Sequence, residues 1–166
     1  CFEAGIKEII LVISDRKKTI KKYFYNDAFF KKIIKKKGQD KRLKFEYSKI
    51  KKFRNRIKFV YQNSPRGTGD AVLKCKKFIK SNHFLMLLPD DLILKNNCSQ
   101  ALIKLHKQYN SSIIASKKVK TKDVTRWGIF KIEKFSKDNF LIKDVIEKPT
   151  IKLVPSNHAV IGRYIL

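Results

Sequence analysis

The chain has 166 residues, 43% of them hydrophobic, with only six Gly and four Pro, which suits one globular domain with a sizeable core and excludes collagen-like, linker-rich or low-complexity organisation. A net charge of +26 points first at nucleic acid or an acidic membrane surface, yet 33 of the 40 basic residues are Lys and 7 are Arg, whereas base-edge and phosphate-fork recognition favours Arg. The lysines are spread along the polar faces of helix-like segments, beside abundant Ile, Asn, Phe and Tyr, so solvated helix faces account for most of the charge.

In chain order, "CFEAGIKEII" reads as a helix end that turns at Gly5 into a strand over Glu8 to Ser14. A helix starts near Lys17 with Ile20, Phe24, Ile33 and Ile34 on its apolar face, and its far end dissolves into a lysine-rich insertion at about 31–56. That insertion is where a basic patch would sit, and its composition is that of a mobile surface segment. A strand follows over Ile57 to Gln62, then a helix over Gly69 to Lys80 with Ala71, Val72, Cys75, Phe78 and Ile79 on one face. Phe84 to Leu88 is the next strand. The following helix starts after Asn97 or Ser99 as N-cap and carries Ala101, Leu102, Leu105 and Tyr109. Strands are expected at Ile113 to Ser116, Gly128 to Ile132, Phe140 to Glu147 and Ala159 to Leu166. Strands alternating with helices indicate an α/β fold with a mostly parallel sheet, and the runs around Leu11 and Leu87 are apolar on both faces, as in strands covered by helices on each side.

Three cysteines, an odd count without C-x-x-C spacing, suggest neither a disulfide framework nor a zinc site and fit a reducing cytoplasm. His83, His106 and His158 lack metal-ligand spacing and read as structural or exposed. No apolar run approaches the roughly 18 residues of a membrane span, and no signal peptide is visible, so the expectation is a cytoplasmic protein without membrane insertion.

Three places could carry chemistry. "YQNSPRGTGDAV" joins a strand to a helix; it is neither a Walker A loop nor a dinucleotide fingerprint, and an ordinary turn is an open alternative. Gln62 at its start offers a donor and an acceptor side by side, the complement of a nucleobase edge, and Gly67 would let the main chain approach a base closely. "FLMLLPDDLIL" puts Asp90 and Asp91 just after a buried strand, at the sheet edge where α/β proteins bind ligands, with a turn or cap role as the alternative. Carboxylates there commonly hold Mg²⁺ with substrate phosphates. "DVIEKP" ends a strand with Glu147 and Lys148, which would point to opposite faces of an extended chain, and Gly128 in "RWGIF" marks a bulge or a close approach.

Together "QNSPRGTGDAVL", "LLPDDLIL", "WGIFKI" and "VIEKPTIKLVPSNHAVIGRYIL" resemble, in order and approximate spacing, bacterial UTP–glucose-1-phosphate uridylyltransferases of the sugar-1-phosphate nucleotidyltransferase superfamily. The last motif is the specific one; the others are shared with thymidylyltransferases. The resemblance implies a Rossmann-like αβα sandwich, here incomplete, that transfers a uridylyl group from UTP to glucose 1-phosphate with Mg²⁺ as cofactor. It implies that Gln62 and the Gly67 main chain hold uracil, Asp90 coordinates Mg²⁺ in the catalytic centre, and Gly128, Glu147 and the Val160 main chain bind glucose hydroxyls. Lys148, also catalytic, would grip the sugar phosphate. The intact enzyme could form a homo-oligomer.

The family's glycine-rich Gly-Thr-Arg segment and its later metal-binding aspartate have no counterpart between Cys1 and Leu166, and Asp70 stands where His is frequent. The expectation is a piece truncated at both ends, holding half of an active site with exposed strand edges. The alternatives are another sugar-nucleotide pyrophosphorylase, such as a glucose-1-phosphate thymidylyltransferase, and a nucleic-acid-binding module centred on Lys31 to Arg56.

Overall fold

The structure, a computed structural model, describes residues 1–38 and 40–166 and divides into two units, Phe2 with Ala4–Asn82 and His83–Leu166 with Cys1 and Glu3. Gln39, inside the lysine-rich segment, lies outside the described residues.

In the first unit, strands β1 (Ile9–Ile13) and β2 (Ile57–Tyr61) pair in parallel from Ile9↔Ile57 to Ile13↔Tyr61. Helix α4 (Thr68–Cys75) packs against both, and Ile13, Ile57, Val60 and Cys75 are buried. With two strands the sheet only half covers β1, whose first four residues stay partly exposed rather than enclosed on both faces.

The described residues of 18–53 form helices α1 (Lys18–Tyr25), α2 (Asp27–Lys36) and α3 (Lys41–Phe53).

The predicted single helix from Lys17 breaks at Asn26, whose side chain accepts the Phe29 N–H at 2.8 Å and so starts α2. Asp40 caps α3 in the same way, accepting from Arg42 N at 2.7 Å and Leu43 N at 3.3 Å. Phe30, Ile34 and Ile50 are buried between the helices, Phe24, Leu43 and Tyr47 pack around them, and the Phe30 and Tyr47 rings stack 4.9 Å apart. Burying such side chains stabilises by about 1.5–3 kcal/mol each, enough to order a lysine-rich segment whose charges stay in solvent. Arg54 ties the segment down, donating to Phe24 O at 2.6 Å and to Asp27 Oδ1 at 2.5 Å. The mobile insertion expected from composition is therefore replaced by helices with a core of their own.

In the second unit, β3 (Leu85–Leu87), β4 (Ile113–Lys118), β5 (Gly128–Lys134), β6 (Phe140–Glu147) and β7 (His158–Ile165) form one sheet. Helix α5 (Cys98–Tyr109), capped by Asn97 as expected, packs on β4 and β7. All seven predicted strands are present, and the class is α/β. Every pairing in this second sheet is antiparallel, however, and the parallel arrangement expected throughout occurs only between β1 and β2. For β5 and β6 the physical reason is connection length: they are joined by five residues, too few for the crossover that parallel neighbours need.

Strand β7 organises this unit. β4 runs along it, β3 pairs with its C-terminal half at Leu87↔Arg163, and β5 meets its N-terminal end at Ile129↔Ala159. Val124, Ile129 and Ala159 are completely buried at that end.

Candidate active site

The first unit contributes the turn between β2 and α4. Gln62 continues β2 by donating its N–H to Ile13 O at 2.8 Å. Gly67, just ahead of α4, has φ +90° and ψ 177°, a backbone conformation that is essentially restricted to glycine, and open space surrounds it. The turn brings the chain back so that Gln62 Nε2 donates to Gly67 O at 3.1 Å and to Asp70 Oδ2 at 2.7 Å. The donor half of the carboxamide is thus occupied within the protein, and the expected side-by-side donor and acceptor is reduced to the acceptor, Oε1.

The second unit contributes everything else. Gly128 pairs with Glu147 across β5 and β6, and a Cβ built on Gly128 would stand 2.9 Å from Glu147 Oε2 and 3.4 Å from Val160 Cγ2. Gly128, Glu147 and Val160 are therefore neighbours, and Gly128 leaves room where any other side chain would crowd the carboxylate. Lys148 adopts φ +47°, an uncommon backbone state for a residue with a Cβ, held by its N–H to Trp127 O at 3.0 Å and by the buried Pro149 that follows. The expectation that Glu147 and Lys148 point to opposite faces fails for this reason: the left-handed turn brings Lys148 Nζ to 3.9 Å from Glu147 Oε1. Both side chains remain well exposed, so the pair is loose and each group is available to a ligand.

The two aspartates after β3 have different fates. Asp91 Oδ2 accepts the Gly162 N–H at 2.6 Å, while Arg163 donates to Leu88 O at 2.7 Å and to Asp91 O. Gly162 has no room for a side chain: a Cβ there would lie 2.4 Å from Leu88 Cβ. Asp91 is thereby a structural clamp on β7, and Asp90 is left exposed at the turn. The clamp at Gly162 and the contact at Val160 are two residues apart on β7, about 7 Å along one face of the strand. Gly128, Glu147, Lys148 and Val160 accordingly gather near the N-terminal end of β7, Asp90 adjoins the Asp91 clamp at Gly162, and Gln62 and Gly67 belong to the first unit. The roles of Asp70, Asp91, Gly162 and Arg163 escaped the sequence reading, although a glycine inside a strand is itself a signal of close approach.

Elsewhere, His158 is buried beside Phe140, with desolvation and then Lys118 disfavouring its protonated form, which agrees with a structural histidine. Among the described residues no three His, Cys, Asp or Glu side chains gather to hold a metal, and no helix is long and apolar enough to cross a membrane.

The nucleotidyl transferase family model matches residues 1–166. The chain belongs to that family. A UTP–glucose-1-phosphate uridylyltransferase of Streptococcus pyogenes is 32% identical over 172 residues, covering 99% of this chain and 55% of that protein. Among solved structures, a UTP-bound UGPase from Acinetobacter baumannii is 29% identical with a TM-score of 0.85, covering 99% of this chain and 59% of that one. A UDP-glucose pyrophosphorylase complexed with UDP-glucose is 28% identical with a TM-score of 0.80, covering 99% and 60%. This nucleotidyl transferase chain thus spans a little over half the length of the curated relatives it matches.

Proposed function

We propose that the chain carries part of a uridylyltransferase site that joins UTP and glucose 1-phosphate into UDP-glucose with release of pyrophosphate. The observation that carries this reading is the grouping of Gly128, Glu147 and Val160 with Lys148 at the turn after β6, because it sets hydroxyl acceptors and a cation side by side. Glu147 and the main chain at Gly128 and Val160 would accept and donate to glucose hydroxyls, and Lys148 would hold the sugar phosphate. Gln62 and Gly67 would hold uracil.

Phosphoryl-type transfer needs no protein nucleophile. A phosphate oxygen of glucose 1-phosphate attacks the α-phosphorus of UTP in line as the bond to pyrophosphate breaks, and the residues supply alignment and positive charge. Asp90 fits a magnesium ion of the kind that takes one or two carboxylates and completes its shell with substrate phosphates, since its side chain is exposed at the turn. When bound, that ion would neutralise charge on the triphosphate.

Calorimetric titration with UDP-glucose tests the reading. Binding that weakens about tenfold or more in both Gln62→Ala and Glu147→Ala is expected for groups that hydrogen-bond a ligand. Absence of binding to the unmodified chain, or binding indifferent to both changes, would overturn it.

A further inference from the structure

We propose that Asp70 is a positioning residue that locks the Gln62 carboxamide with its carbonyl toward the base, and that the lock selects pyrimidines bearing an N3–H over cytosine. The inference rests on the reading of Gln62 as a base contact.

A glutamine carboxamide has nearly the same shape after half a turn about its last bond, so an unrestrained Gln62 could present either its oxygen or its NH₂ group to a ligand. Here the choice is made by its neighbours. Nε2 lies 2.7 Å from Asp70 Oδ2 and 3.1 Å from Gly67 O, and both oxygens only accept. Half a turn would set Oε1 against two acceptors and forfeit two hydrogen bonds, one of them strengthened by the carboxylate charge. With both amide protons directed to Asp70 and Gly67, Gln62 offers a ligand only Oε1.

Uracil and thymine donate from N3–H to such an oxygen. Cytosine carries a lone pair on N3 and would meet it oxygen to nitrogen with no proton between them. A site built around one hydrogen bond rejects an analogue that leaves it unmade, and partial exposure moderates the factor here. The local geometry supplies the lock: Gly67 turns the chain into α4, and Asp70 in the first turn of that helix comes back over Gln62.

An acidic residue in a first helical turn also stabilises the helix end, so loss of stability alone would not distinguish the two roles. The ratio of UTP to CTP affinity does. Titration of the 166-residue chain should show UTP bound roughly tenfold or more tighter than CTP. In Asp70→Asn, whose side chain can face Gln62 with either its oxygen or its NH₂, the ratio should fall severalfold, and Asp70→Glu should restore it. Asp70→Ser, which can likewise donate or accept, serves the same purpose should the asparagine variant fail to fold. An unchanged ratio in a folded Asn or Ser variant would overturn the lock while leaving Gln62 as a base contact. Failure of the unmodified chain to bind UTP, or UTP binding unaffected by Gln62→Leu, would overturn that underlying reading and the lock with it.

Discussion

The turn from Gln62 to Asp70 and the middle of β7 both depend on glycine, for opposite reasons. Gly67 has nothing within 4 Å of where a Cβ would stand and is required by its backbone, which sits at φ +90°. Gly162 has an extended backbone and is required by crowding, with Leu88 Cβ 2.4 Å from where its own Cβ would be. The turn therefore depends on local conformation and a few hydrogen bonds, whereas the strand depends on tertiary fit. A functional edge built in the first way tolerates change in its surroundings, and one built in the second way transmits change to them.

Substitutions at these glycines separate the two mechanisms. Gly162→Ala should have the largest effect, about 3 kcal/mol of destabilisation, because Leu88 Cβ is fixed to its backbone and the strand must shift. Gly67→Ala should cost about 2 kcal/mol through backbone strain alone. Gly128→Ala should change stability by no more than about 0.5 kcal/mol, since the nearest atom is the flexible end of Glu147, yet it should weaken UDP-glucose binding. Urea unfolding of the three variants checks this order. Equal losses at Gly162 and Gly128 would remove the distinction between rigid and yielding neighbours.

A smaller effect concerns the helical segment. The Arg54 guanidinium beside Asp27 lowers that carboxyl from 3.8 to about 2. A depressed folded value contributes stability above the unfolded value, which is lost as the pH falls from about 3.8 to 2. Asp27→Asn should flatten that part of the acid unfolding curve slightly, because the pair is partly exposed.

Strand positions were legible because each is a short β-rich run bounded by turn residues, as with Ile57 and its neighbours before "QNSP". Pairing direction was inferred from the alternation of strand and helix over the first half of the chain, although the predicted strands Gly128 to Ile132 and Phe140 to Glu147 lie seven residues apart with no helix between, too close for a parallel crossover. The lysine-rich helices were hidden by composition, although Leu43, Tyr47 and Ile50 keep helical spacing and Asn26 and Asp40 are recognisable caps. In the site, residue types such as Gln62 and Glu147 suggested ligand contacts. The division of labour between Asp90 and Asp91 depended on Gly162, 71 residues away from Asp91, and no local pattern encodes such a contact.

The central claim is that Gly128, Glu147 and Lys148 act together on the sugar end of a sugar nucleotide. Amide NMR spectra recorded during titration with UDP-glucose test it most directly. The account predicts saturable shifts at Gly128, Glu147 and Lys148 with one dissociation constant, weakened about tenfold in Glu147→Ala. Absence of shifts at these three residues, or shifts with different constants, would contradict it.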